Sequence, residues 1–259
     1  MFTESPSGML IVTGPTGSGK TTTLYSALKQ LARPELNVCT IEGPIEMVDG
    51  ALNQMSVQHA IGVDFASGSR TLMRQDPDII MVGEIRDSET ADAALQAAMT
   101  GHLVLTTLHT NDAPSSITRL LDLGVPPILL RAALLGVIAQ RLVRTLCPEC
   151  KTPMPITATQ WDALTAPHKA QAPTQIYAPR GCDECRQTGY KGRIGIFEIM
   201  PISAALRTMI DTTTDASVLR RQATTEGMRS LRLPGALKVK ADLTTAAEVF
   251  AVAPATHSD

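Results

Sequence analysis

Aromatic residues are scarce, 3% of the 259 residues with a single tryptophan, and no cluster of them accompanies basic residues. That argues against a channel in which bases stack on a positively charged track. A dominant charge is also missing: the formal net charge is −2, so the chain lacks the broad basic field that usually marks a nucleic-acid binder. No nucleic-acid partner is expected. Long apolar runs are absent too. The greasiest stretch, 125–138, is interrupted by two prolines and Arg131, short of the roughly 18 residues that indicate a membrane span. No basic segment leads into an apolar one at the start, as a signal peptide requires, so the cytoplasm is the expected compartment.

What is present favours a folded α/β chain. Apolar residues make up 44%, enough for a sizeable core. Short apolar runs at 9–13, 38–41, 79–82 and 103–107 read as strands buried on both faces. Between them lie helical patterns at 21–32, at 88–100 with Ser88 as its cap, at 113–123 and at 127–142. Alternating strands and helices predict a doubly wound parallel sheet. After Leu146 the composition shifts to Cys, Pro, Thr, Ala and Gln with weak periodicity, and helical patterns return from Ile202, ahead of a frayed tail at 254–259. Three regions are expected: an α/β core to residue 146, a cysteine-bearing segment at 147–190, and a helical segment at 191–259. There is no internal repeat.

The sharpest local signal is Gly14-Pro15-Thr16-Gly17-Ser18-Gly19-Lys20-Thr21, which matches G-x-x-x-x-G-K-[ST] and falls between a predicted strand and a predicted helix. Glycines let successive N–H groups face the phosphates at the positive end of a helix. Lys20 is placed to reach β- and γ-oxygens, and Thr21 to offer its hydroxyl to Mg²⁺. Glu84 follows the run 79–82, where an acidic group can orient a water or a metal-bound water. Glu42 and Glu46 flank a Gly-Pro turn after another strand. Two carboxylates on that edge suit water activation, and a turn with solvated acids is the alternative reading. His109 lies just past the carboxyl end of 103–107, as a γ-phosphate sensor should, whereas His102 lies at the other end; either could equally be a structural histidine.

Of five cysteines, four form two Cys-x-x-Cys pairs, Cys147 with Cys150 and Cys182 with Cys185. In a chain read as unexported this pattern favours a closed Cys₄ Zn²⁺ site over disulfides, with an unloaded reduced site as the alternative. Cys39, within a predicted strand, is expected in the core.

Taken together, GPTGSGKTTTLY at 14–25, TIEGPIE at 40–46, RQDPDIIMVGEIRD at 74–87, TGHLV at 100–104 and TLHT at 107–110 closely resemble the secretion ATPase superfamily. AQRLVRTLCPEC at 139–150, GCDEC at 181–185 and TGYKGRIGIFE at 188–198 are similar to its type II secretion and pilus-extension branch. The resemblance implies a RecA-like P-loop NTPase core with a small zinc-binding insert and C-terminal helices. It implies ATP, Mg²⁺ and Zn²⁺ as cofactors, and Walker A residues Gly14 to Thr21 with Thr22 beside them. It further implies an acidic box from Glu42 to Glu46 with Glu46 as catalytic base, a Walker B Glu84, and a histidine box from His102 to His109.

The implied assembly is a homo-hexamer at the cytoplasmic face of an inner membrane. It works with a membrane-anchored recruiting protein and passes motion to a platform protein. Two departures stand out. The family's acidic box reads Glu-Asp-Pro-x-Glu, and Gly43 replaces the aspartate. Its members also carry an N-terminal domain that supplies arginines to the pocket, and this chain begins close before the phosphate loop, so a fragment or a truncated gene product is expected. A catalytically weakened assembly subunit is therefore the second reading, and a nucleic-acid-translocating ATPase the third. Type II secretion and pilus extension share these motifs, with 135–147 favouring secretion.

Overall fold

The computed structural model describes residues 5–166, 168 and 170–253; the tail expected at 254–259 lies outside them. The chain divides into two compact units. One joins the residues up to Ala139 with Ile199–Glu226, and the other joins Gln140–Glu198 with Gly227 onward.

In the first unit, β1 (Gly8–Thr13), β2 (Val38–Glu42), β4 (Ile79–Val82) and β5 (Leu103–Leu108) are buried along their whole length, as the apolar runs predict. β3 (Asn53–Ser56) and β6 (Leu134–Leu146) join them. The order is β3-β2-β4-β5-β1-β6, extended by β9 (Tyr190–Pro201). Every pairing from β3 to β6 is parallel. Parallel strands place all their carboxyl ends on one edge, where ligands of such sheets bind. Cys39 is buried in β2, as expected.

Helix α1 (Lys20–Leu31) packs Leu24, Tyr25 and Leu28 against Leu10, Val12, Val38 and Met81 of the sheet. Its N-cap is Gly19 with no side-chain cap. A missing cap costs about 1 kcal/mol, whereas each buried leucine contributes roughly 1.5–3 kcal/mol, so packing decides. The bare first turn stays open for an anion.

Helices α2 (Phe65–Leu72), α3 (Ser88–Met99) and α4 (Ala113–Asp122) all begin at an aspartate. Asp64, Asp87 and Asp112 accept bonds from the N–H groups of Ser67, Thr90 and Ser115. The cap of α3 is thus Asp87 rather than Ser88, whose backbone is already helical.

The largest correction concerns 127–142, expected to be one helix. α5 (Pro127–Ala133) stops after two turns and the chain continues as β6. Arg207, on α7 (Ala204–Met209), donates to the carbonyls of Arg131 and Leu134 and so closes the helix end. Residues 136–139 then pair with β1. Helix α8 (Ala216–Thr225) is tied to the start of α4 by the ion pair of Arg220 with Asp112, 2.9 Å.

The second unit carries a core of its own, Val143, Trp161, Leu164, Ile176, Ile196, Leu231, Ala236, Val239 and Val249. These come from β6 and β9, α6 (Ala158–Thr165), α9 (Arg232–Lys240) with Leu231 just before it, α10 (Ala246–Val252), and β8 (Ile176–Ala178), which pairs antiparallel with β7 (Thr152–Met154). The boundary placed at 146 from composition coincides with the end of β6, and the one at 190 with the start of β9. The chain passes from one compact unit to the other within these long strands, at 139/140 and 198/199, and again at 226/227.

Candidate functional site

The loop between β1 and α1 is shaped by glycine. Gly14, Gly17 and Gly19 have φ of 153°, 78° and 86°, and the last two lie in the left-handed region that side chains avoid. Lys20 is buried, its Nζ donating to the carbonyls of Gly14 at 2.8 Å and Pro15 at 3.2 Å. Ser18 is also buried, and its hydroxyl is one of two buried side-chain polar atoms without a partner among the described residues. A buried unpaired hydroxyl costs about 1–3 kcal/mol. A buried cation, an orphaned hydroxyl and an uncapped helix start converge, and a phosphate group fits that combination. Pro15, Thr16 and Thr22 are exposed around the loop, with Thr21 half-buried.

Across the edge, Glu84 follows β4. Its side chain is 13% exposed and lies between two partners: Oε2 is 3.2 Å from His109 Nε2, and Oε1 is 2.5 Å from Arg86. The backbone sets this geometry. Thr107 Oγ1 donates to the Gly83 carbonyl at 2.7 Å, and the Ile85 N–H donates to the Thr107 carbonyl. Gly83 fits closely, since a Cβ there would sit 3.2 Å from the Ile41 carbonyl oxygen and from Phe65 Cε1. His109 is registered to the phosphate loop in turn, because Thr13 Oγ1 bonds the Leu108 and Thr110 carbonyls and receives the Thr110 N–H.

Glu42 and Glu46 separate in role. Glu42 is 4% exposed with both oxygens engaged, by Tyr25 at 2.7 Å, Thr40 at 2.6 Å and Gln54 at 3.2 Å. These donors hold Glu42 at the carboxyl end of β2, the sheet edge that carries the phosphate loop. Glu46 is exposed on the loop leaving the same sheet edge. The structure corrects the place of His102. It precedes β5 at the opposite edge, where Nδ1 lies 2.9 Å from the Ala97 carbonyl and 3.2 Å from the Thr100 hydroxyl at the end of α3. A strand rises about 3.3 Å per residue, so β5 carries it away from the phosphate loop within this chain.

Arg86 is the site residue that sequence reasoning missed, although its position two residues after Glu84 is a usable signal. Tyr25, one helical turn beyond Thr21, carries a similar signal. Gln54 carries none, because only the pairing of β3 with β2 brings it to Glu42.

In the second unit, the Sγ atoms of Cys147, Cys150, Cys182 and Cys185 all lie within 4.8 Å of one another. The separations are 3.9 Å for Cys147 and Cys182, 3.8 Å for Cys150 and Cys185, and 3.7 Å for Cys182 and Cys185. Zn–S bonds of about 2.3 Å in a tetrahedron give S···S edges of about 3.8 Å, so the four thiols fit that ion. No disulfide joins them. Amide groups support the sulfurs: Gly181 N–H donates to Cys150, and the N–H groups of Cys182 and Gly189 donate to Cys185. Burial pushes the Cys185 thiol up, but those two N–H groups and the neighbouring thiols outweigh it and hold it below the usual thiol value, while burial and the same neighbouring thiols hold Cys182 above it. The four sulfurs thus share protons within one cluster, and metal ligation requires their thiolate form.

Among the described residues no helix is long and apolar enough to cross a membrane. Comparison with known proteins agrees with this architecture. Residues 1–251 match the family model described as type II/IV secretion system protein. The type IV pilus assembly ATPase TfpB of Acinetobacter baylyi is 59% identical over 249 residues, 96% of this chain and 43% of that protein. Type II secretion system protein E of Pseudomonas aeruginosa is 48% identical over 249 residues, 96% of this chain and 49% of its own length. The chain thus spans about half the length of the curated relatives it matches. Among solved structures, the pilus retraction motor PilT with bound ADP superposes with a TM-score of 0.70 at 28% identity, covering 98% of this chain and 63% of PilT. The match runs through both units and joins the phosphate loop, Glu84, His109 and the four cysteines in one sequence, and on that ground the chain belongs to the type II/IV secretion system protein family.

Proposed function

We propose that the chain is the ATP-hydrolysing motor domain of a type II secretion or type IV pilus assembly machine. The observation that carries this reading is the convergence on one sheet edge of a glycine-shaped loop, with buried Lys20 and the orphaned Ser18 hydroxyl, and the Glu84 and His109 pair. Lys20 and the loop N–H groups hold the phosphates, with Thr21 offering its hydroxyl to Mg²⁺ and Thr22 beside it. Bound Mg²⁺ supplies charge neutralisation at the β- and γ-phosphates. Glu84 orients the attacking water, Glu46 accepts its proton, and His109 senses the γ-phosphate through Glu84. Zn²⁺ held by the four cysteines is structural, because four thiolates leave no open position.

As in the relatives' names, the work done is secretion or pilus assembly. The working form is a homo-hexamer at the cytoplasmic face of the inner membrane, engaged by a recruiting protein and a platform protein there. Mg²⁺-dependent ATP hydrolysis by this chain and by Glu84→Gln tests the reading. We expect turnover to fall by about 10²-fold or more with nucleotide affinity retained. Unchanged turnover in the variant would remove Glu84 from the chemistry.

A weakened enzyme is the second reading, favoured by Gly43. A Cβ there would lie 3.2 Å from Phe65 Cζ and 3.3 Å from Val57 Cβ, so the neighbours have closed on the glycine. Low wild-type turnover that rises on restoring the aspartate supports that reading.

A further inference from the structure

Between α1 and the loop that carries Glu46 lies a network of four polar side chains: Tyr25, Thr40 and Glu42, all buried, and the half-buried Gln54. Tyr25 is 1% exposed and Glu42 4% exposed. The Tyr25 hydroxyl donates to Glu42 Oε2 at 2.7 Å, and Thr40 Oγ1 donates to Glu42 Oε1 at 2.6 Å. Gln54 Nε2 donates to the Tyr25 oxygen at 2.8 Å and to the Met47 carbonyl at 2.9 Å, and lies 3.2 Å from Glu42 Oε1. Gln54 Oε1 accepts the Asp49 N–H at 2.8 Å. Outside the network, Lys29 of α1 pairs with Asp49 at 3.3 Å. One amide therefore grips the loop on both sides of Val48, while Tyr25 and Lys29 join that loop to the helix that starts at Lys20.

Two features separate this from ordinary core satisfaction. A buried glutamate needs donors, and Tyr25 and Thr40 already supply one to each oxygen; Gln54 spends its amide mainly on the loop backbone. Tyr25 also sits at i+4 from Thr21, on the same face of α1, so the network begins one turn from the residue assigned to Mg²⁺. The loop it holds has an exposed outer side, Val48 being 90% exposed and Met47 41%. Packing alone therefore does little to fix it.

We propose that Gln54 and Tyr25 are positioning residues: they hold the 43–49 loop, and with it Glu46, at a set distance from the phosphate-binding helix. The inference rests on the reading of Glu46 as the base in ATP hydrolysis. Gln54→Ala releases the loop from its backbone anchors. Gln54→Glu keeps the shape, loses the donor and sets a second carboxylate against Glu42. Tyr25→Phe removes the hydroxyl that links Glu42 to Gln54. A displacement of a reacting group by about 1 Å is enough to cost up to 10²-fold.

The test measures single-turnover ATP hydrolysis, ATP affinity and amide hydrogen exchange on the full chain and these variants, with Asn53→Ala on the same strand as control. The expected result is a fall in the hydrolysis rate of about tenfold or more in Gln54→Ala, Gln54→Glu and Tyr25→Phe. ATP affinity should stay within about twofold, exchange should accelerate at 43–50, and Asn53→Ala should match the wild type. Wild-type rates in Gln54→Glu, or equal losses of rate and affinity, overturn the proposal. If the wild-type chain shows no hydrolysis, the functional reading fails separately. The clamp is then judged by exchange alone: acceleration confined to 43–50 supports it, and unchanged exchange overturns it.

Discussion

Gly43 shows how one residue couples chemistry to packing. The resemblance reads it as a lost carboxylate. The structure adds that Phe65 and Val57 occupy the space a larger side chain needs. Overpacking of this kind costs roughly 1–3 kcal/mol. Gly43→Asp alone should therefore lower stability by about 1 kcal/mol, and adding Val57→Ala should recover part of that loss, as urea denaturation of the three proteins would show. Equal stability of Gly43→Asp and wild type would mean that the neighbours yield freely. Ser18 and Lys20 are the opposite case. Their residue types and spacing already announce a phosphate site, and the orphaned hydroxyl and buried ammonium agree with that spacing. Glu42 could not be read this way, because its donors come from α1 and β3 as well as from its own strand.

At the scale of elements, strands buried on both faces were readable because uninterrupted apolar runs of this length bounded by turn residues have few other uses. The run 79–82 is the strand observed. β3 was not readable: Asn53–Ser56 has no apolar alternation and is exposed or half-buried throughout, so only its pairing with β2 makes it a strand. The end of α5 was hidden for a related reason. Its last carbonyls are closed by Arg207, which is remote in sequence, with further support from Arg131 Nε donating to the Ile210 carbonyl at 2.8 Å. Hydrogen bonds from a charged donor contribute about 1.5–3 kcal/mol. Arg207→Met should thus destabilise the chain by about 2 kcal/mol in equilibrium denaturation, with amide exchange accelerating first at 127–139. A loss below about 0.5 kcal/mol, the range of ordinary surface substitutions, would show that pairing with β1 alone ends the helix.

Over the whole molecule, the two compact units draw on different sources of stability. The first has a parallel sheet with helical layers, while the second adds to its Trp161-centred core a cluster that ties the turn at 147–150 to the turn at 182–185. Metal binding to such a cluster is itself folding free energy. Stripping metal with a chelator should accelerate amide exchange at 147–190 and leave ATP affinity within about twofold, since the proposed nucleotide contacts come from the first unit alone and binding stabilises only the state that binds. Loss of ATP affinity on chelation would contradict that division.

The phosphate loop, the acidic residue after β4 and the cysteine pairs were determined by the sequence alone. Each is a pattern of residue type and spacing within a few positions, which can be read without knowing what else the fold brings there. Tertiary structure decided that Glu42 is a buried anchor, that His102 closes α3 on the far edge, and that a helical pattern at 134–142 becomes a strand. In each case the deciding partner lies in another element, and no pattern of neighbouring residues records which side chain or strand will arrive there.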